Sequence, residues 1–229
     1  MQRATVSVII PAYNEENTIG TVITSTTRIL DDLDVPYEII VVNDGSTDKT
    51  GFVASNYKVT VLTNSVNRGK GYSLRRALKL AQGEIIVTLD SDGEHKPKEI
   101  PDLLEPLQNG VDVVAGSRFM GRQPDVTTKL NTIGNFLFNT AIMTLTGQRV
   151  TDSQTGFRAI KREVMEQLNL ASDGYEIETE ITVKTLCSGF VLKEKPISVE
   201  RRKYSMSKLK ILSDGAKILK TIVRSSLQT

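Results

Sequence analysis

Residues 87–100 read "VTLDSDGEHKPKEI", and three carboxylates fall there at every second position: Asp90, Asp92 and Glu94. Like charges this close repel, so either solvent or a cation must offset them. In extended backbone, residues two apart point the same way, which lets Asp90 and Asp92 converge on one ion. Oxygen-only ligands favour Mg²⁺ or Mn²⁺, and such ions usually complete their shell with substrate phosphates. The competing reading is a solvated acidic turn. A calcium loop of the EF-hand type is excluded, because Gly93 comes too early and Pro101 stands where the last glutamate ligand belongs.

Other chemistries are excluded by what the chain lacks. His95 is the only histidine and Cys187 the only cysteine, so His-rich metal sites, Cys-His or Ser-His catalysis and an intrachain disulfide framework fall away. No G-x-G-x-x-G follows the first apolar run, and Gly69-Lys70 lacks the upstream glycine and following Ser/Thr of a P-loop. The net charge of +2 gives no basis for a nucleic-acid partner. Hydrophobic residues at 39% and charged residues at 24% are ordinary for a globular protein. No apolar run approaches the roughly 18 residues of a membrane span. The start, "MQRATVSVII", reaches Pro11 too early for a signal peptide. The expected location is the cytoplasm, on the cytosolic face of a membrane if one is involved.

Apolar runs at residues 5–10, 38–42, 59–62, 84–89 and 111–115 predict five strands. Helical spacing over 17–30 and 72–81 falls between them. Strands alternating with helices imply an α/β fold with a mostly parallel sheet. In such sheets ligands bind outside the carboxyl ends of the strands. The segments there are "PAYNEEN", "NDGSTD", "TNSVNRGKG", "DSDGEH" and "GSRF", each polar, charged or glycine-rich. Five such loops on one edge of a sheet make a ligand site.

The blocks "VSVIIPAYNEENTIG", "EIIVVNDGSTDKT", "NRGKGYSLRRAL" and "VTLDSDGEH" resemble the signature blocks of glycosyltransferase family 2, which has the GT-A fold. "GSRF", "DSQTGFRAIKREV" and "RRKYSMSKL" resemble its dolichyl-phosphate mannose synthase and dolichyl-phosphate glucose synthase branch. The resemblance runs to about residue 212, which implies a GT-A domain over residues 1–212 and an amphipathic helical tail over 213–229. It also implies a Rossmann-like, mostly parallel sheet flanked by helices.

By the same resemblance, Asp90, Asp92 and Glu94 would hold Mg²⁺ or Mn²⁺. Pro11, Ala12, Tyr13, Glu15, Asp44, Gly69, Lys70, Gly71, Asp90 and Ser91 would bind the nucleotide-sugar, with Lys70 available to phosphate. Arg118 would meet the acceptor phosphate. Arg202 and Lys208 match a block, R-x-x-G-x-S-K, that closes over the diphosphate; Ser205 replaces its glycine. The implied reaction is inverting, metal-dependent transfer of a hexose from a nucleotide-diphosphate sugar to a polyprenyl (dolichyl) phosphate. GDP-mannose is the favoured donor, with UDP-glucose and UDP-N-acetylglucosamine open. A soluble acceptor and a non-enzymatic sugar-nucleotide or anionic-lipid binding module are the rivals. The absence of tryptophan excludes the processive synthases, which carry Q-x-x-R-W.

Two segments could meet a membrane surface, a membrane-anchored partner or a second copy. One carries Ile133, Phe136, Leu137, Ile142, Met143 and Leu145; the other joins Ile211, Leu212, Ile218, Leu219, Ile222 and Val223 to Lys208, Lys210, Lys217, Lys220 and Arg224. Arg158 reads as a structural ion-pair partner of Asp152 or of a helix end. Glu176, Glu178 and Glu180 read as a solvated helix face with one member turned to the site. His95 reads as a loop residue or a secondary contact rather than a ligand, and Cys187 as buried and inert.

Overall fold

The computed structural model describes residues 5–120, 129–200 and 211–227. In chain order the elements are β1 (Val6–Ala12), α1 (Ile19–Asp32), β2 (Tyr37–Asn43), α2 (Thr50–Ser55), β3 (Thr60–Thr63), α3 (Lys70–Leu78), β4 (Ile85–Thr88), α4 (Ile100–Leu104), β5 (Val113–Ser117), α5 (Lys129–Thr146), β6 (Arg158–Lys161), α6 (Arg162–Gln167), α7 (Ile177–Cys187), β7 (Leu192–Pro196) and α8 (Ile211–Leu227). The strands form one seven-stranded sheet in the order β3-β2-β1-β4-β6-β5-β7. It is mostly parallel; only β6 runs against its neighbours β4 and β5.

The central strands are mostly apolar because both faces are covered; buried Ser7 and Thr88 are exceptions, and both are hydrogen-bonded. Val6, Val8, Ile10 and Ala12 of β1 join Ile19, Ile23 and Leu30 of α1 in one core. Ile9, Ile40, Val42 and Ile86 face the other way, against Leu74 of α3 and Ile177 and Ile181 of α7. A third cluster joins Ile142 of α5, Val183 and Leu186 of α7, and Ile218 and Ile222 of α8. Two inward residues of the C-terminal helix are thus core residues.

Strand β1 runs on through Pro11, past the expected end at residue 10. The Ile9 carbonyl accepts from Leu89 N–H on the β4 side and the Ala12 carbonyl from Asp44 N–H on the β2 side. Alternation therefore turns Pro11 toward β4, whose pairing has ended at Thr88 opposite Ile9. The missing proline N–H costs no ladder bond there.

Helix α7 corrects one expectation. Residues from Ile177 to Leu186 are all buried, Glu178 and Glu180 included, so there is no solvated glutamate face. A helix enclosed on all sides must neutralise its charges internally. Glu180 does so by accepting N–H bonds from Ala171 and Ser172 and pairing with Lys184 at 2.8 Å. Burial works against the Glu180 carboxylate, but Lys184 and the Ser172 N–H outweigh it, and its pKa is lowered. Cys187 is a free thiol of intermediate exposure at the end of this helix, not fully buried.

Candidate functional site

The carboxyl ends of β1, β2, β4 and β5 bring their loops together, and the loops are tied by polar side chains. Asn14 takes a left-handed backbone (φ 53°), and its side-chain oxygen accepts the Thr47 N–H at 2.8 Å. Glu15 is buried and donates its N–H to Thr50 Oγ1 at 2.7 Å. Pro11 and Ala12 thus end β1, and Tyr13 and Glu15 lie in the loop that follows, which is braced against the segment after β2.

Asp44, at the end of β2, is buried and acts as an organiser. Its carboxylate accepts from Asn64 Nδ2 at 2.6 Å, Arg68 N at 2.9 Å and Gly69 N at 2.8 Å. It thereby sets the entry to α3, where negative charge also suits the helix N-terminus. Gly69 has φ 98°, and any Cβ there would strike the Asp173 carbonyl. This explains why α3 begins at Lys70, two residues before the expected start. Gly71 abuts the Ser172 carbonyl in the same way. The close approach these glycines permit is to the chain's own backbone.

Lys70, on the first turn of α3, reaches Asp90 at the end of β4. Its Nζ touches Asp90 Oδ1 and lies 2.8 Å from Glu178 Oε1. Burial alone would lower the Lys70 pKa, but Asp90 and Glu178 more than reverse this, and the net direction is up. Glu178 is held from behind by Arg158, whose Nε lies 3.4 Å from Oε2. Arg158 is fully buried and donates to the Thr155, Ser153 and Glu178 carbonyls and to Thr182 Oγ1. Burial dominates there and lowers its pKa despite the nearby carboxylates.

Beyond Asp90, Ser91 and Asp92 are buried, and Asp92 Oδ1 accepts the Glu94 N–H at 3.0 Å. Glu94 is intermediate in exposure. His95 is buried, stacks on Phe157 and places Nδ1 3.6 Å from Asp90 Oδ2. Among the described residues no group of three or more His, Cys, Asp or Glu side chains is gathered to hold a metal ion. Asp90, Asp92 and Glu94 are therefore not a preassembled three-carboxylate cage; Asp90 is turned onto Lys70 instead. The donor set still suits a hard cation, being carboxylate oxygens on one short turn, which substrate oxygens and water could complete.

Arg118, following β5, forms a fork with Asp152: Nε to Oδ2 at 2.7 Å and Nη2 to Oδ1 at 2.9 Å. Burial opposes its charge, but Asp152 and, more weakly, Glu94 and Asp90 more than compensate, so its pKa rises. Arg118 is thus within electrostatic reach of the acidic turn. The carboxylate expected to pair with Arg158 is taken by Arg118, and Arg158 pairs with Glu178. Arg202 and Lys208 lie outside the described residues. They follow Val199 and Glu200, which lie beside His95 and Glu94: a bridge joins Val199 to His95, and Glu200 N–H bonds to the Glu94 carbonyl at 2.9 Å.

Of the three glutamates, one of which was expected to turn to the site, Glu178 is the member that does so, through Lys70; sequence reasoning missed Asp152 as a site member. Spacing alone does not choose among the three glutamates, whereas Asp152 lies within the block "DSQTGFR".

Comparison with known proteins fits this geometry. An uncharacterized protein of Methanocaldococcus jannaschii is 35% identical over 227 residues, covering 96% of this chain and 91% of that one. A dolichol-phosphate mannosyltransferase of Pyrococcus furiosus is 34% identical over 90% of this chain, which spans 59% of its length. Glucosyl-3-phosphoglycerate synthase of Mycobacterium tuberculosis, solved with Mn²⁺, UDP and phosphoglyceric acid, superposes with a TM-score of 0.73 at 25% identity, over 98% of this chain and 78% of that one. The expected GT-A architecture is therefore present. Residues 7–168 match the model of glycosyl transferase family 2, and the chain belongs to that family.

Proposed function

We propose that this glycosyltransferase moves a hexosyl group from a nucleoside-diphosphate sugar to a polyprenyl phosphate, with inversion, at a membrane surface. The observation that carries the reading is the Lys70–Asp90 pair just beyond β4, with Arg118, held by Asp152 beyond β5, in electrostatic reach of the same turn, where a diphosphate and a phosphate could lie side by side. In this reading Pro11, Ala12, Tyr13, Glu15, Asp44 and Ser91 surround the nucleoside, with GDP-mannose favoured over UDP-glucose and UDP-N-acetylglucosamine. Asp90 and Asp92, with Glu94 adjacent, hold Mg²⁺ or Mn²⁺. When bound, the ion neutralises the diphosphate and stabilises it as a leaving group.

An acceptor phosphate oxygen forms the new bond to the anomeric carbon as the bond to the diphosphate breaks; the electron pair leaves with the nucleoside diphosphate. The acceptor is already anionic at neutral pH, so no strong general base is required. Catalysis then rests on in-line positioning and on charge placed over the leaving group, from Lys70 and from Arg202 and Lys208.

The lipid acceptor draws support from α5, where Ile133, Phe136, Leu137, Met143 and Leu145 are all at least 48% exposed. On α8, exposed Leu219 and Val223 lie among the exposed Lys217, Lys220 and Arg224. Apolar side chains beside cations suit an anionic bilayer. Among the described residues no helix is long and apolar enough to cross a membrane. The second reading is a soluble phosphorylated acceptor, favoured by the phosphoglyceric acid complex of the structural relative. Donor titration by calorimetry with Mn²⁺, followed by turnover on polyprenyl phosphate and on 3-phosphoglycerate, separates them. Transfer to 3-phosphoglycerate alone refutes the lipid acceptor. Asp92→Asn removes one ligand charge at constant size and should reduce turnover by orders of magnitude; near-normal turnover refutes the metal site.

A further inference from the structure

Lys70 lies between two carboxylates that differ in kind. Asp90 ends a strand and faces the site, with 27% of its side chain exposed. Glu178 is 4% exposed on a helix enclosed on all sides, with Arg158 3.4 Å behind it. Neither Glu178 oxygen receives a well-directed hydrogen bond, although Lys70 Nζ is 2.8 Å from Oε1. A buried carboxylate held by charge alone has acceptor capacity to spare. The lysine is the part able to move, being a compact ammonium on a flexible stem. Gly156 borders the same slot, where a Cβ would lie 2.6 Å from Asp90 Oδ2 and also strike Lys70 Nζ.

We propose that Lys70 stands in for the cation on Asp90 until nucleotide and cation arrive together, and that Glu178 is the positioning residue that receives Lys70 when Asp90 is taken. This rests on the metal reading above and adds a role for Glu178, with a reason for joint loading. A divalent ion arriving alone meets an Asp90 whose charge Lys70 already offsets. A nucleoside diphosphate offers Lys70 another anion beside Glu178 and releases Asp90. Cation and nucleotide then strengthen each other's binding by the same factor, as linkage requires.

The test measures Mn²⁺ affinity of the full chain by electron paramagnetic resonance, without nucleotide and with saturating GDP or UDP, whichever binds. The wild type should bind Mn²⁺ at least tenfold more tightly with nucleotide. Lys70→Met should bind Mn²⁺ more tightly without nucleotide, with the coupling factor reduced at least tenfold. Glu178→Gln leaves Lys70 only Asp90 and should weaken Mn²⁺ binding in the presence of nucleotide. Because that change also strips Arg158 of its partner, circular dichroism accompanies it; if it does not fold, Lys70→Met decides. Lys96→Met removes a cation from the same turn, where Lys96 pairs with Glu200 at 3.4 Å, and should leave the coupling as it is. Unchanged coupling in Lys70→Met, or an equal change in Lys96→Met, overturns the exchange while leaving the metal site standing. Mn²⁺ binding that survives Asp90→Asn overturns both.

Discussion

Asp152→Asn tests the acceptor side of the site at constant side-chain size. Asp152 is 1% exposed, and its carboxylate accepts four bonds. Oδ2 takes Arg118 Nε at 2.7 Å and Arg118 N at 3.1 Å; Oδ1 takes Arg118 Nη2 at 2.9 Å and Gln154 N at 3.3 Å. Whichever way an asparagine amide is turned, its NH₂ faces two donors, so two bonds and the charge are lost together. Breaking a buried ion pair costs about 3–5 kcal/mol. The Arg118 side chain is 22% exposed, so water can reach it, and the low end, about 3 kcal/mol, applies. For a chain of this size that is a fall in Tm of roughly 6–12 °C. Thermal unfolding followed by circular dichroism measures it. Kinetics should show a raised acceptor KM with donor binding intact, because the guanidinium loses its orientation. A double-mutant cycle with Arg118→Met isolates the pair. A Tm within about 2 °C of wild type, or an equal loss in the Arg118→Met background, would refute the reasoning.

Gly156→Ala should leave the fold intact but displace Lys70 or Asp90, reducing turnover at least tenfold; wild-type kinetics would show that the slot can yield. Glu180 has a lowered pKa, so its contribution to stability is complete above its ordinary value of 4.5 and is lost as pH falls further. Glu180→Gln should therefore be less stable than wild type at neutral pH by an amount that shrinks on acidification from about pH 4.5, as urea unfolding at several pH values would show; a constant gap would contradict this. Leu137→Glu on the exposed face of α5 should weaken sedimentation with anionic vesicles and leave nucleotide titration unchanged, and equal sedimentation would remove α5 from the membrane reading.

The first half of the sheet was legible because burial on both faces leaves runs such as "VSVII" and "EIIVV", which read as strands without further context. Strands β6 and β7, "RAIK" and "LKEKP", carry no such signal. The former is a four-residue antiparallel insertion containing the buried Arg158, and the latter lies at the sheet edge, where alternating Lys and Glu are normal. The acidic turn was visible as chemistry, but its neutralisation was not. Lys70 and Asp90 are twenty positions apart and Glu178 lies much farther along the chain, so only the fold brings them together. The solvated face expected for Glu176, Glu178 and Glu180 failed for a related reason: helical spacing distributes side chains around an axis but cannot tell which sides neighbouring elements will enclose.

Of the carboxylates that look excessive in the sequence, Asp90 is paired with Lys70 once folded, and the charges around it are interlocked. Lys70 lies between Asp90 and Glu178, Arg158 lies behind Glu178, and Arg118 is clasped by Asp152 with Asp90 and Glu94 in reach. A strand end with this many charges could attract a charged ligand by its bare field, but Lys70 already offsets the charge of Asp90. What the arrangement retains is exchange. In the proposed exchange each ligand charge that enters displaces an internal partner, and its affinity depends on where that partner goes. A fully buried acceptor such as Glu178 would keep the displaced lysine within the site. A half-exposed one would let it move into water, and the site would then lose the cation that a leaving diphosphate most needs nearby.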